Sequence, residues 1–596
     1  MFSHLLLSLA FWAASMSHAA TYDPDLTWRS LSTEHFTVHF HGGEEQIAEE
    51  MGHLVEEVYQ EMTAELDWEP KLPTEVVLLD NTDSANGYAT YLPRNTIVIY
   101  VTAPDAVSTL SFYEDWNDTI FTHEYTHILH LDTVEGLPAQ VRKIFGRVVI
   151  MNGLAPNWVI EGQATMQETW QSNTGRGRGS IPDMIKRTAT LENAFPPLGN
   201  MDGFQTANPG GNIRYLFGQD FMNYIAQENH AQIWTEWNHN YGGGIPYWLP
   251  ARSTFGASFP TLYDGWKASV FDRYQQQQAA IEALGVSEYT LITSLDRNCA
   301  FAHIAPDDSK LVYSCFSLEE GSAVYLSDLE GQEEHVEISG VFGRNFAWRS
   351  DGTAFAYSAM RTVNRFNLYS DVYLHTVKGG TTMLTSAKRA RDPEFTLDGT
   401  KLLVVTNEVQ CNQLNTLTID QQLTQLTHHE DHTQYATPKF SPKGNWIATS
   451  MWQNGQQDLW ILDAQGNPVR QLTNDMALDT EPRWSADGRT LYFTSDRTGV
   501  YNIFAFDLET ENLYQVSNVL TGAFTPSVDM DESFLYFSIY HANGYAIAKM
   551  PIDKSTWQQV DTAYLGSEDA FHSQNFIEYS SPINKGTEWT APKMDL

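Results

Sequence analysis

The chain has 596 residues and a formal net charge of −39, with 42% hydrophobic, 13% aromatic and 18% charged residues. That length exceeds what one hydrophobic core usually supports, and the composition is that of globular domains rather than of a disordered chain. The acidity argues against nucleic acid as a partner and leaves most of the exterior repelled by anionic membrane surfaces.

The chain opens on an apolar run from Leu5 to Ala14 followed by Ser17-His18-Ala19. This reads as a signal peptide over residues 1–19 and predicts an exported protein, periplasmic or secreted, with no stable membrane insertion after cleavage. The segment lacks Lys and Arg, so an uncleaved anchor is the alternative, although the run is short for spanning a bilayer. A strand is predicted over His35–Phe40, a helix from about Glu44 to Leu66, and two β-branched strands at Thr74–Leu79 and Thr96–Val101. From Asp115 to about Gly285 helical patterns dominate. They are broken by Thr174-Gly175-Arg176-Gly177-Arg178-Gly179-Ser180, which reads as a flexible, solvated loop whose two arginines offer a weaker second reading as a grip for a substrate carboxylate.

Within the helical stretch lies His123-Glu124-Tyr125-Thr126-His127. Residues i and i+4 share one helix face, so both imidazoles reach one ion while Glu124 stands beside it. A second helix pattern, Asn157 to Glu168, carries Glu161 as the natural third ligand. Two neutral histidines and a carboxylate leave a fourth tetrahedral position open, as in catalytic rather than structural zinc sites. His130 shares the face of His123 and His127 but lies too far along the helix to complete the same site, and reads as packing or support.

These elements resemble the gluzincin metallopeptidases, whose helices carry His-Glu-x-x-His and then Trp-x-x-Glu-Gly-x-Ala, here Trp158 to Ala164. The resemblance implies an N-terminal α+β metallopeptidase domain over residues 20–285, one Zn²⁺ per chain held by His123, His127 and Glu161, and Glu124 as general base. Glu168 corresponds to a recurrent carboxylate that orients a ligand. Tyr215-Leu216-Phe217-Gly218 resembles the Tyr-x-x-Gly element of gluzincin aminopeptidases and implies Tyr215 as an oxyanion donor, packing being the competing reading. The chain departs from the pattern in the long insert Val134–Pro156 and in lacking a Gly-x-Met-Glu-Asn element, which puts aminopeptidase activity in doubt. The strand Thr96–Val101 is expected, from the resemblance, to offer an edge to an extended peptide.

From about residue 286 the texture changes to short strands and a recurring phrase, clearest at Pro482-Arg483-Trp484-Ser485-Ala486-Asp487-Gly488. Related turns at Asp308, Gly352, Gly399, Gly444 and Asp531-Glu532 recur at roughly 45 residues, the length of a four-stranded propeller blade. The phrase resembles the TolB-type, WD-like repeat and implies an all-β six-bladed propeller over residues 286–565, expected to fold independently and leaving a tail, 566–596, without a reading. The strand Tyr289 to Thr293 is expected to close the ring against the last blade. Cys299 and Cys315 flank a hairpin and are placed to pair, leaving Cys411 free. No Gly-x-Ser-x-Gly elbow is present, so the propeller does not serve a serine peptidase of the prolyl oligopeptidase kind. Two functions stay open: an exported zinc peptidase acting on a peptide or protein substrate that the propeller filters or recruits, and a cell-envelope propeller that binds a protein partner, with a vestigial or regulatory peptidase domain.

Overall fold

The computed structural model describes residues 22–203, 208–244 and 248–560; the expected signal peptide and the 566–596 tail lie outside the described residues. An N-terminal α/β region leads into a ring of six β-sheets.

The α/β region is built on a five-stranded sheet in the order β1 (Trp28–Ser32), β2 (Phe36–His41), β3 (Thr74–Leu79), β5 (Thr96–Tyr100), β4 (Gly87–Thr90). The inner strands β2, β3 and β5 run parallel, and β1 and β4 flank them antiparallel. The run at Thr96–Val101 is therefore interior, and the edge expected of it belongs to β4. A tight return through residues 91–95 folds the half-exposed Gly87–Thr90 back on the outside, and its mixed pattern hides it as a strand. Gly87 is needed there, because a Cβ would lie 2.9 Å from Cγ1 of Ile120 on the helix beneath.

Nine α-helices accompany the sheet among the described residues, α1 (Glu45–Leu66) between β2 and β3 and then α2 (Trp116–Asp132), α3 (Gly136–Phe145), α4 (Asn157–Trp170), α5 (Ser180–Leu191), α6 (Ile213–Glu228), α7 (Ile233–Gly242), α8 (Trp248–Phe255) and α9 (Phe259–Ala283). Asp115 caps α2, its carboxylate accepting from the backbone N–H of Asn117 at 2.8 Å and of Asp118 at 3.2 Å. One apolar core joins α1 and α2 to the sheet through Phe36, Val55, Ile99, Phe121 and Leu129; a second gathers α4, α6 and α9 around Trp158, Phe221 and Trp266.

The blades span Asn298–Ser339, Arg344–Met383, Ala390–Gln425, Gln434–Gln471, Asp479–Gln515 and Ala523–Pro551. The first strand of the ring, Thr290–Leu291, pairs with the last blade through Leu291–Ala548 and Thr290–Lys549, as the expected closure requires. The last described strand, Gln558–Val560, adds a fifth strand to the fifth blade. The turn of each blade takes a residue at positive φ: Asp308, Gly352, Gly399, Gly444, Gly488 and Glu532. Cys299 and Cys315 face each other across the first hairpin and are bonded; Cys411 is free and buried.

Each innermost strand is also broken by a β-bulge whose residue lies at positive φ: Phe301, Asn345, Asp392, Thr437, Glu481 and Thr525. These six side chains line a central cavity of about 820 Å³, bounded on the α/β side by Ser84, Asp105 and Val107.

Candidate metal centre

The His-Glu-x-x-His run lies in the middle of α2, where both neighbouring layers bury it. Helix α4 crosses α2 and delivers Glu161. Helix α6 packs so closely on α4 that two glycines meet: a Cβ on Gly162 would lie 2.7 Å from the carbonyl carbon of Gly218, and one on Gly218 would lie 2.6 Å from the Trp158 oxygen. That contact explains why glycine follows Glu161 and stands three residues after Tyr215, and it brings the Tyr215 ring to 6.0 Å from that of His123.

The donor atoms of His123, His127 and Glu161 all lie within 4.8 Å of one another. Glu161 Oε2 is 3.2 Å from His127 Nε2 and 3.6 Å from His123 Nε2. Ligands bound at ~2.1 Å to a tetrahedral zinc are separated by ~3.4 Å, so the spacing and the donor types fit that ion. Glu124 is buried beside the three without contributing a donor to them.

His123 Nδ1 lies 2.9 Å from Glu168 Oε2. Arg176 Nη2, which can only donate, lies 2.8 Å from the same nitrogen, so the carboxylate and the guanidinium together fix where the ring sits. Arg176 locks this carboxylate from behind: Nε donates to Oε1 and Nη2 to Oε2, each at 2.7 Å, and its backbone N–H donates to Oε1 at 3.1 Å. The same guanidinium lies 4.8 Å from the Tyr215 ring centroid. The loop reading of residues 174–180 is thus corrected for Arg176, which is folded inward. Gly175 at positive φ and Gly177, where a Cβ would lie 2.7 Å from Thr169, let the chain turn back onto α4. The alternation of glycine and arginine was the only sign of this in the sequence.

Burial works against the ionised form of Glu161, yet the close approach of His123 and His127 holds its carboxyl far below the usual range. Glu168 is held at about 2, burial being overcome by Arg176 and His123. Burial alone would depress His123, as would Arg176; the neighbouring carboxylates of Glu161 and Glu168 prevail and raise it to about 9. Glu124 is raised by burial, against the pull of His123 and His127. Burial and the Glu161 charge push the Tyr215 phenol to about 12, so it stays protonated. His130 does not join the cluster; burial lowers it to about 3, and neither ring nitrogen has a hydrogen-bond partner. His127 Nδ1 is buried without an acceptor as well, so of the two candidate ligand histidines only His123 has an orienting carboxylate among the described residues.

Comparison with known proteins places the likeness in the propeller. The family profile of the TolB beta propeller domain matches residues 379–581. A Tol-Pal system protein TolB of Anaeromyxobacter dehalogenans is 43% identical over 45 residues, 8% of this chain and 10% of its own. One from Desulfotalea psychrophila is 29% identical over 87 residues, 14% of this chain and 19% of its own. The chain thus spans at most about a fifth of the length of these relatives. Among solved structures, TolB from Acinetobacter baumannii aligns at a TM-score of 0.32 and 18% identity, covering 44% of this chain and 65% of that one. An oligogalacturonate lyase in complex with manganese aligns at 0.34 and 15%, covering 45% and 94%.

Proposed function

We propose that the chain is an exported zinc-dependent peptidase with a TolB-like propeller attached. The observation that carries this reading is the convergence of His123, His127 and Glu161 at the spacing of a tetrahedral ion's ligands, with Glu124 alongside. Zinc bound there would polarise a substrate carbonyl and make water acidic enough to be deprotonated near neutral pH. Glu124, whose carboxyl burial raises, is placed beside the three ligands where it would accept a proton from the attacking water and pass it to the leaving amine. Tyr215, protonated throughout, donates a hydrogen bond to the charge that develops on the carbonyl oxygen. Glu168 and Arg176 hold the His123 ring in one orientation. The edge strand β4, beside α2, is where an extended peptide would pair with backbone groups.

A second reading is favoured by the propeller match at 379–581 and by the Tol-Pal relatives: a cell-envelope protein that binds other proteins through its propeller, with a vestigial or regulatory α/β region. A peptide-library digest separates the two. On the peptidase reading, cleavage stops on chelation, returns with added zinc, and falls in parallel with zinc content in Glu161→Ala, where a ligand is gone. A metal-free protein that cleaves nothing yet captures an envelope protein supports the second reading.

A further inference from the structure

Helix α3 and the turns after it form the insert that separates the two metal-site helices, and its polarity is inverted. Among the described residues the four most exposed large hydrophobic side chains all lie within it: Ile144 at 78%, Leu137 at 74%, Leu154 at 69% and Phe145 at 67%. Leu137, Val141, Ile144 and Phe145 fall at helical spacing on one face of α3, and no residue of α3 is buried. Two of the insert's three cations are turned inward instead, and Lys143 stays exposed. Arg142 pairs with the Asp132 carboxylate and donates from Nη1 to the Asp132 carbonyl oxygen at 2.8 Å; Arg147 donates to Asp132 Oδ1 at 2.9 Å and also contacts Asn95. Asn152 fastens the far end to the carbonyl oxygens of His130 and Thr133 at 3.0 and 3.2 Å. The insert is therefore anchored with its apolar stripe outward, the reverse of a helix that covers a core.

We propose that this face docks on the surface of an anionic lipid bilayer, with α3 lying in the plane of the interface. A connected apolar patch of this kind marks an interaction surface rather than scattered exposed residues. Three features favour lipid. The stripe is short and amphipathic, the geometry of an interfacial rather than a spanning helix, and no described helix is long and apolar enough to cross a membrane. The insert is basic in an otherwise acidic chain: residues 134–156 carry Arg142, Lys143 and Arg147 against Glu135 alone, with Lys143 exposed on α3 and Glu135 at the far end, 2.6 Å from His239. A second copy would oppose one basic insert to another across two chains of net charge −39. The patch is the local exception to the repulsion from anionic membranes that the overall charge implies.

The test is flotation of the full chain with vesicles of phosphatidylcholine alone and of phosphatidylcholine mixed with phosphatidylglycerol, at low and high salt. Binding is expected to the mixed vesicles and to weaken in salt and on phosphatidylcholine alone. The double variant Ile144→Ser, Phe145→Ser should lose binding by about tenfold or more with unchanged circular dichroism and melting, because both side chains already face solvent. Lys143→Glu should weaken binding only where phosphatidylglycerol is present, and Leu318→Ser, an exposed apolar residue of the propeller, should change nothing. Comparing variants against wild type cancels any contribution of the N-terminal segment. Absence of flotation by the wild type, or equal flotation by the double variant, overturns the proposal. So does a dimer in sedimentation equilibrium that the double variant dissolves without any vesicle binding.

Discussion

His123 serves two sets of partners at once, turning Nε2 toward Glu161 and Nδ1 toward Glu168, and Arg176 is what keeps the second set in place. Arg176→Ala leaves the Glu168 carboxylate buried without its fork of donors and removes the cation beneath Tyr215. Zinc affinity and turnover are both expected to fall by about 10- to 100-fold, with the fold intact by circular dichroism. Arg176→Lys should restore only part of each, since an ammonium cannot meet both oxygens in the plane of the carboxylate. Competition against a chromophoric chelator reads the affinity independently of activity. That His123 and His127 share one helix face, and Glu161 and Glu168 another, was legible from helical periodicity, while the meeting of the two faces was an expectation from the resemblance to gluzincin helices. Arg176 was not legible, because it reaches the site by a loop closure that depends on Thr169 and on the segment around Phe112, whose carbonyl oxygen accepts from the Gly175 N–H at 2.9 Å.

Between blades four and five, elements are joined by buried charge. Asp458, Asp475 and Asp479 converge there, and Arg497 donates to Asp475 at 3.2 Å and to Asp479 at 2.7 Å. Burial, reinforced by the Asp479 and Asp475 charges, pushes the Asp458 carboxyl up to about 7 from 3.8. Its folded pKa therefore lies above its unfolded one, so the native state holds a proton that the unfolded chain has lost between those values. Stability contributed by this group falls as pH rises from about 4 through 7 and is lowest above 7. Asp458→Asn, which keeps an acceptor for Thr473 and the Asp475 N–H, should raise Tm by about 2–4 °C at pH 8 and leave it unchanged or lower at pH 4. Thermal melts at the two pH values check the sign. At this scale the blade turns were legible, because each needs a residue tolerant of positive φ at a fixed repeat. The sheet edge was misread: β5 is the more hydrophobic and β-branched strand because it is interior, and burial is what makes a strand conspicuous in sequence.

The whole molecule is held together by contacts that neither half needs for its own pattern. Arg187, fully buried on α5, donates to the carbonyl oxygens of Leu520 at 2.8 Å and Thr521 at 2.7 Å. Arg389 of the propeller pairs with Asp80 at 2.6 Å and Asp83 at 2.7 Å, and Trp452 stacks on Tyr113 with ring centroids 4.9 Å apart. Leu478, Tyr501, Phe524 and Tyr540 of the propeller belong to the same core as α4 and α6. The repeat spacing announced six blades, but nothing in it distinguishes these side chains from ones that pack within a blade. The expectation of an independently folding propeller changes accordingly. Residues 286–560 expressed alone should expose this aromatic face and associate or precipitate, whereas the full chain should remain dispersed and unfold with the two regions coupled. Light scattering beside calorimetry distinguishes the cases.

The central claim is that His123, His127 and Glu161 hold a zinc ion on which Glu124 acts as the proton carrier. The most direct measurement is zinc content beside peptide turnover for the purified wild type and Glu124→Gln. Zinc near one per chain in both proteins is predicted, with turnover in the variant lower by about 100-fold or more. Full turnover in Glu124→Gln, or a wild type that cleaves peptides without binding metal, would contradict the account.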